Sequence, residues 1–136
     1  MVRGLNSEYL ILNYIFRRGT FKKEITTYKN VKLLTDIYMA EKLKLINKHI
    51  CPYCGRHFMT KSALIRHLTS GWKRRECKNT FLLEVKHITD KYVRLQNCIE
   101  RKEKYILRIR NDQLKFKTPD LLRTYIREHP EILEMI

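Results

Sequence analysis

Residues 51–77 read CPYCGRHFMTKSALIRHLTSGWKRREC, and this stretch decides the fold of the middle of the chain. Cys51 and Cys54 form a C-x2-C pair, and His67 follows in the wider spacing C-x2-C-x3-F-x5-L-x2-H. Zinc takes thiolate sulfurs and imidazole nitrogens as tetrahedral ligands. The spacing therefore predicts that Cys51, Cys54 and His67 bind one metal ion.

The same pattern resembles the first three ligands and both apolar core positions of the C2H2 zinc-finger family. Phe58 and Leu64 occupy those apolar positions. Thr60 is a suitable N-cap for a helix over KSALIRHLTS, which is rich in helix-forming residues. The resemblance implies a ββα zinc finger over residues 49–79 and one structural Zn2+.

The fourth ligand departs from the family pattern. The family expects a histidine or cysteine at position 71, 72 or 73, where this chain has Gly, Trp and Lys. The next candidate is Cys77, which requires the helix to end near Gly71 and the GWKRRE loop to turn back toward the metal. We predict Cys77 as the fourth ligand. The alternatives are His57 as the ligand, or Cys77 as a small buried apolar residue. Three other residues are less favourably spaced for a compact site: His49, His87 and Cys98.

The resemblance also implies a nucleic-acid surface. The family's base-contacting helix positions fall on Thr60, Ser62, Ala63 and Arg66, and of these Arg66 is the strong reader, typically of guanine. Five further basic residues of this segment are expected to contact phosphates: Arg56, Lys61, Lys73, Arg74 and Arg75. One finger covers about 3 base pairs, so we expect it to add affinity and orientation rather than specificity.

Residues 1–48 are predicted to form three helices over SEYLILNYIFRR, FKKEITTY and VKLLTDIYMAEKLK, with a break at Lys29-Asn30. The segments GTFKKEI and AEKLKLINK resemble the second helix and the close of the third helix in winged helix-turn-helix regulators of archaea and bacteria. That resemblance implies that the third helix lies in the DNA major groove, with Lys32, Thr35 and Lys42 facing outward.

Two acidic residues argue against that placement. Asp36 and Glu41 lie on the same predicted helix, and carboxylates facing phosphates are unfavourable. The alternative for residues 1–48 is a plain helical bundle that packs on the finger. The combination of a basic helical module with a finger resembles small DNA-binding regulators of archaea and their viruses.

Residues 80–136 begin with an apolar stripe at spacings of 4, 3, 4, 3 and 4. The stripe consists of Phe81, Val85, Ile88, Tyr92, Leu95 and Ile99. We interpret it as the buried face of an amphipathic helix. The alternatives are a coiled-coil homodimer through residues 80–101, or two strands over FLLEVKHI and KYVRLQ.

A hairpin and a helix are predicted to complete the chain. KYILRIR and QLKFK alternate as strands around a turn at Asn111-Asp112. Thr118 as N-cap, Pro119 at the first helical position and Asp120 near the positive end of the dipole predict a last helix. Residues 118–136 carry two basic and four acidic residues, which suits a protein partner better than nucleic acid.

The charge balance points to a polyanionic partner. The chain has 29 Lys and Arg against 14 Asp and Glu, a formal charge of +15, and residues 51–79 alone carry seven basic residues and one acidic residue. Such a balance favours nucleic acid. We expect no membrane association, because no apolar run reaches the ~18 residues of a spanning helix and MVRGLNSEYL does not resemble a signal peptide. A C-x2-C pair without such a signal predicts a reducing, cytoplasmic location.

These features predict an α+β, mostly helical protein. Its three parts would be a winged helix-turn-helix-like module over 1–48, a zinc finger over 49–79, and a helix, β-hairpin and helix over 80–136. The predicted function is a zinc-containing DNA-binding transcriptional regulator. The alternatives are RNA binding, or a protein-binding factor that acts on RNA polymerase or another nucleic-acid machine. We expect no enzymatic activity, because no acidic cluster is arranged for metal-assisted hydrolysis.

Overall fold

A computed structural model of the chain describes residues 7–18, 21, 24–70 and 75–136. These ranges contain five α-helices and one three-stranded antiparallel sheet, and 66% of the structure is helical. The prediction of a mostly helical α+β protein is confirmed. The elements are α1 Ser7–Arg18, α2 Ile25–Asn47, α3 Lys61–Ser70, α4 Arg75–Asn97, β1 Ile99–Arg101, β2 Tyr105–Ile109, β3 Asp112–Phe116, α5 Pro119–Glu128 and a 3₁₀ helix, Pro130–Glu134.

The chain forms two compact units. The first unit comprises residues 1–21 and 38–87, and the second comprises residues 22–37 and 88–136. The division between them falls inside α2 and inside α4, and α2 is kinked at Met39 (φ −122°, ψ 15°). The predicted division into 1–48, 49–79 and 80–136 stays a prediction. None of the helices in the described ranges combines the length and the apolar character that crossing a membrane requires.

A single helix, α2, occupies the stretch where two helices were predicted. The predicted break at Lys29-Asn30 is wrong, because both residues lie inside α2, whose backbone departs from helical geometry at Met39 instead. Asn30 is buried, and its Oδ1 accepts a hydrogen bond from Arg123 Nε at 2.8 Å. An asparagine satisfied by a distant side chain does not compete with the helix for local backbone hydrogen bonds.

The outward-facing residues predicted for this helix are also partly wrong. Thr35 is fully buried, and its hydroxyl donates to the carbonyl of Val31 at 2.8 Å. Lys32 and Lys42 are half-buried. The described part of residues 1–48 therefore contains α1 and the kinked helix α2, and the irregular backbone lies at Met39 rather than at Lys29-Asn30.

Replacing Asn30 by alanine is expected to lower the free energy of unfolding by about 1–3 kcal/mol. The change leaves the buried Arg123 Nε without its acceptor, while Arg123 Nη1 keeps its 2.6 Å contact with Asp120. The matched control is Asn13→Ala, because Asn13 is exposed on α1. Urea unfolding checks both variants, and equal midpoints for the two would contradict the role given to Asn30.

The apolar faces of α1 and α4 contribute to the core of the first unit. Ile11, Leu12 and Ile15 of α1 are buried, and the ring of Phe81 on α4 lies 5.4 Å from that of Tyr14. Phe81 is fully buried and is among the largest side chains of the core. The alternative of two strands over FLLEVKHI and KYVRLQ is wrong, because the helix α4 covers both segments.

The second unit contains the sheet, in the order β1-β2-β3. The predicted hairpin is present, but its turn is Arg110-Asn111, because Ile109 pairs with Asp112. Arg110 adopts the left-handed region at φ 54°. The inner face of the sheet packs on α5, where the ring of Phe116 lies 5.4 Å from that of Tyr125.

The start of α5 is as predicted. Thr118 is the N-cap, and its hydroxyl oxygen accepts a hydrogen bond from the backbone N–H of Leu121 at 3.2 Å. Pro119 occupies the first turn, where a missing N–H costs no hydrogen bond.

Candidate metal centre

A tight loop presents the first two cysteines. The N–H of Cys51 donates to the carbonyl of Arg56, and the N–H of Gly55 donates to the carbonyl of Cys51, both at 2.9 Å. Gly55 has φ +76°, a conformation that glycine adopts without steric cost. The two strands expected of a ββα finger are reduced to one isolated bridge between Ile50 and His57. The short loop alone therefore orients both thiols.

Helix α3 presents the histidine. Thr60 caps it as predicted, with Oγ1 accepting from the N–H of Ala63 at 3.1 Å. Leu64 and Leu68 are fully buried, and His67 lies in the last turn. Leu64 therefore occupies the core position that the sequence indicated.

Phe58 differs from the expectation of a core residue. It is only half-buried, and its ring lies 4.9 Å from that of His67. The guanidinium carbon of Arg56 lies over the Phe58 ring, 5.7 Å from its centroid. Phe58 thus supports the histidine from the side, while a basic side chain covers it.

Helix α4 presents the fourth candidate ligand. Cys77 is the third residue of α4 and is 5% exposed. The sequence placed residues 71–76 in a loop, but Arg75 and Glu76 already belong to the helix. The first turn of α4 therefore presents Cys77.

The four candidate ligand atoms come together. The sulfurs of Cys51, Cys54 and Cys77 and a ring nitrogen of His67 all lie within 4.8 Å of one another. The Cys54 Sγ to His67 Nε2 distance is 3.8 Å, and tetrahedral zinc with ordinary bond lengths requires about 3.6 Å. The donor set and its spacing fit one zinc-like ion. The cluster within the described residues does not include His49, His57, His87 or Cys98.

Electrostatics inside the cluster favour a bound cation. Burial, followed by hydrogen bonds in which the Cys77 thiol donates to the sulfurs of Cys51 and Cys54, raises the pKa of Cys77 to about 12. Three neighbouring thiols cannot all ionise without a positive charge between them, and a metal ion supplies that charge. With four protein ligands the ion would have no open position, which is typical of a structural site.

A second contact joins the cysteine loop to α4. The hydroxyl of Tyr53 donates to Glu84 Oε2 at 2.5 Å, and Lys42 Nζ lies 2.6 Å from Glu84 Oε1. Burial and the Glu84 carboxylate raise the pKa of Tyr53 above its usual range. Cys77 and Glu84 are seven residues apart and so share one helix face. Sequence reasoning missed this contact, and the seven-residue spacing was its only signal.

The predicted nucleic-acid residues fall into three groups. Arg56, Thr60, Ser62 and Arg66 are exposed and Lys61 is half-buried. Lys32 and Lys42 are engaged in ion pairs, with Asp36 at 3.0 Å and with Glu84 at 2.6 Å respectively. Lys73 and Arg74 lie outside the described residues, and for Arg75 only its place at the start of α4 is described.

Comparison of the chain with protein-family models, with curated proteins and with solved structures finds no match. The function therefore has to be argued from the Cys3His cluster and from the surface chemistry around it.

Proposed function

We propose that this chain is a zinc-containing DNA-binding protein that acts as a transcriptional regulator. One zinc ion held by Cys51, Cys54, His67 and Cys77 would fix the cysteine loop and α3 against α4. The exposed basic side chains beside the ion would then contact the phosphates of double-stranded DNA.

The observation that carries this proposal is the charge of the segment around the metal centre. No Asp or Glu occurs between Glu41 and Glu76, whereas this interval contains nine Lys or Arg residues. A long stretch of positively charged residues next to the metal centre attracts a polyanion and raises the rate at which the protein associates with it.

The exposed side of α3 supports the same conclusion. Leu64 and Leu68 form its buried face, and Ser62 and Arg66 are exposed four residues apart. Side chains at this spacing lie on one helix face. Arginine at such a position is suited to bidentate contact with guanine or phosphate.

The test is fluorescence anisotropy of a labelled 20-base-pair duplex of random sequence, titrated at several salt concentrations. We expect binding that weakens steeply with salt, with a slope of about −0.9 per neutralised phosphate. In the finger variant, Arg56→Gln, Lys61→Gln and Arg66→Gln are combined. This variant should lose up to about 2.7 units of slope.

The matched control removes three charges elsewhere: Lys29→Gln, Lys44→Gln and Lys86→Gln. Lys29 and Lys44 make only exposed ion pairs, and Lys86 is exposed on α4. Exposed pairs contribute little to stability, so the control should fold and keep most of the salt dependence. An equal loss of slope in both variants would contradict a localised contact at the finger.

Two further measurements separate the alternatives. Tighter binding to duplex RNA of the same sequence than to duplex DNA would favour RNA binding. Selection from a random DNA library tests the regulatory role, since a regulator should enrich a preferred site. Strong binding without enrichment would replace regulation with an architectural role.

A further inference from the structure

The outer face of the sheet, made by β2 and β3, is basic and uncovered by α5. Leu107 and Ile109 of β2 are buried on the inner side. Because side chains alternate along a strand, Ile106 and Arg108 point to the opposite face. There Ile106 pairs with Lys115, and Arg108 pairs with Gln113.

Three lysines surround a cavity at one end of this face. Lys102 and Lys104 come from the connection between β1 and β2, and Lys115 comes from β3. Together with Glu103 and Ile106 they line a cavity of about 380 Å³. The fold thus gathers three ammonium groups from two separate segments.

Two carboxylates lie near these lysines: Glu103 lines the same cavity, and Glu100 interacts electrostatically with Lys102. No ion pair joins Lys102, Lys104 or Lys115 to another residue in the described part of the chain. The nearby Glu100 is already bound to Arg108 Nε at 2.8 Å. That hydrogen bond, more than any other interaction, lowers the pKa of Glu100 and keeps it ionised.

Three lysines of the helices, by contrast, are paired with carboxylates. Lys32 pairs with Asp36, Lys42 with Glu84 and Lys91 with Glu134. Residues 98–117, in contrast, carry seven basic and three acidic residues. Like charges held around one cavity repel each other, and an anion placed among them relieves that repulsion.

We propose that the outer face of the sheet, with Lys102, Lys104 and Lys115, is a second DNA-contacting surface that binds phosphates of the duplex backbone. This inference rests on the proposed DNA binding and adds a separate surface to it, in the second unit.

The dimensions of the hairpin fit this partner. β2 and β3 have five residues each, so this part of the three-stranded sheet is about 17 Å long. The DNA major groove is about 12 Å wide, and proteins that read DNA with a β-sheet place strands of the sheet in a groove. Lys102, Lys104 and Lys115, at one end of this face, would then contact the phosphates along the edge of the groove. Flexible ammonium groups bind phosphates as point charges.

The experiment uses the full-length zinc-loaded protein and the same labelled duplex. The sheet variant combines Lys102→Gln, Lys104→Gln and Lys115→Gln, and it is measured alone and in combination with the finger variant. We expect the sheet variant to lose up to about 2.7 units of salt slope relative to the wild type. The control variant carries the same net charge and should lose much less.

The outcomes separate this inference from the proposed function. If the salt dependence of binding fell only in the finger variant, the proposed sheet surface would be wrong and the finger contact would remain supported. If the salt dependence fell only in the sheet variant, the result would support DNA contact by the sheet and contradict DNA contact by the finger. Binding by the wild type that does not respond to salt would overturn both. Circular dichroism and thermal unfolding confirm that each variant is folded, which is expected because all three sheet lysines are exposed.

Discussion

Cys77→Ser is expected to reduce the zinc content of the purified protein from one equivalent to none and to lower its thermal midpoint. The Cys77 sulfur belongs to the group of ligand atoms that lie within 4.8 Å of one another. A serine hydroxyl does not ionise near neutral pH and replaces a thiolate poorly. Zinc binding in finger peptides is worth on the order of 10 kcal/mol, so loss of the ion should be the largest single effect on stability.

Two further variants show whether the metal or the packing is responsible. Cys54→Ser removes a ligand that is exposed, so it should abolish zinc binding with little loss of core contacts. Cys98→Ser removes a cysteine outside the cluster and should keep one zinc and the wild-type midpoint. Metal content is measured by mass spectrometry, and cobalt substitution should give the absorption spectrum of a tetrahedral thiolate site. One equivalent of zinc in Cys77→Ser would show that another residue is the fourth ligand.

Phe81→Ala is expected to lower the free energy of unfolding by about 3–5 kcal/mol. Phe81 is fully buried in the first unit, in contact with the ring of Tyr14. Truncation removes a large apolar surface from the core and leaves a cavity that the surrounding helices fill only in part. The measurement is urea unfolding of the zinc-saturated protein.

Leu83→Ala is the matched control on the same helix, because Leu83 is 67% exposed. We expect a change of less than about 0.5 kcal/mol for this variant. Zinc content should stay at one equivalent in both variants, which separates lost packing from lost metal. If Phe81→Ala unfolded at the same urea concentration as Leu83→Ala, the proposed core of the first unit would be wrong.

The metal ligands could be predicted because most of their geometry is local. Cys51 and Cys54 lie on one tight loop, and Thr60 and Leu64 begin the helix that carries His67. The spacing of Cys51, Cys54 and His67 depends on one loop and about three turns of α3. Sequence patterns predict such local elements well. Cys77 was harder, because its approach depends on where α4 begins.

The helix boundaries that failed depended on distant partners. A helix break was predicted at Asn30, but this residue lies inside α2 and bonds to Arg123, which is 93 residues away in the sequence. Thr35 was predicted to face outward, but it is fully buried. Local propensity is a weak predictor at such positions, because tertiary contacts outweigh it.

The sequence by itself predicted the Cys3His cluster and the cap of α3, and it determined the strongly basic character of the chain, since spacing and charge are properties of short segments. Only the tertiary structure decided that α2 continues through Lys29-Asn30, that Tyr53 and Glu84 join the cysteine loop to α4, and that Lys102, Lys104 and Lys115 line one cavity at the sheet. Each of these depends on the burial or convergence of side chains from separate elements, and a one-dimensional pattern does not record which elements will meet.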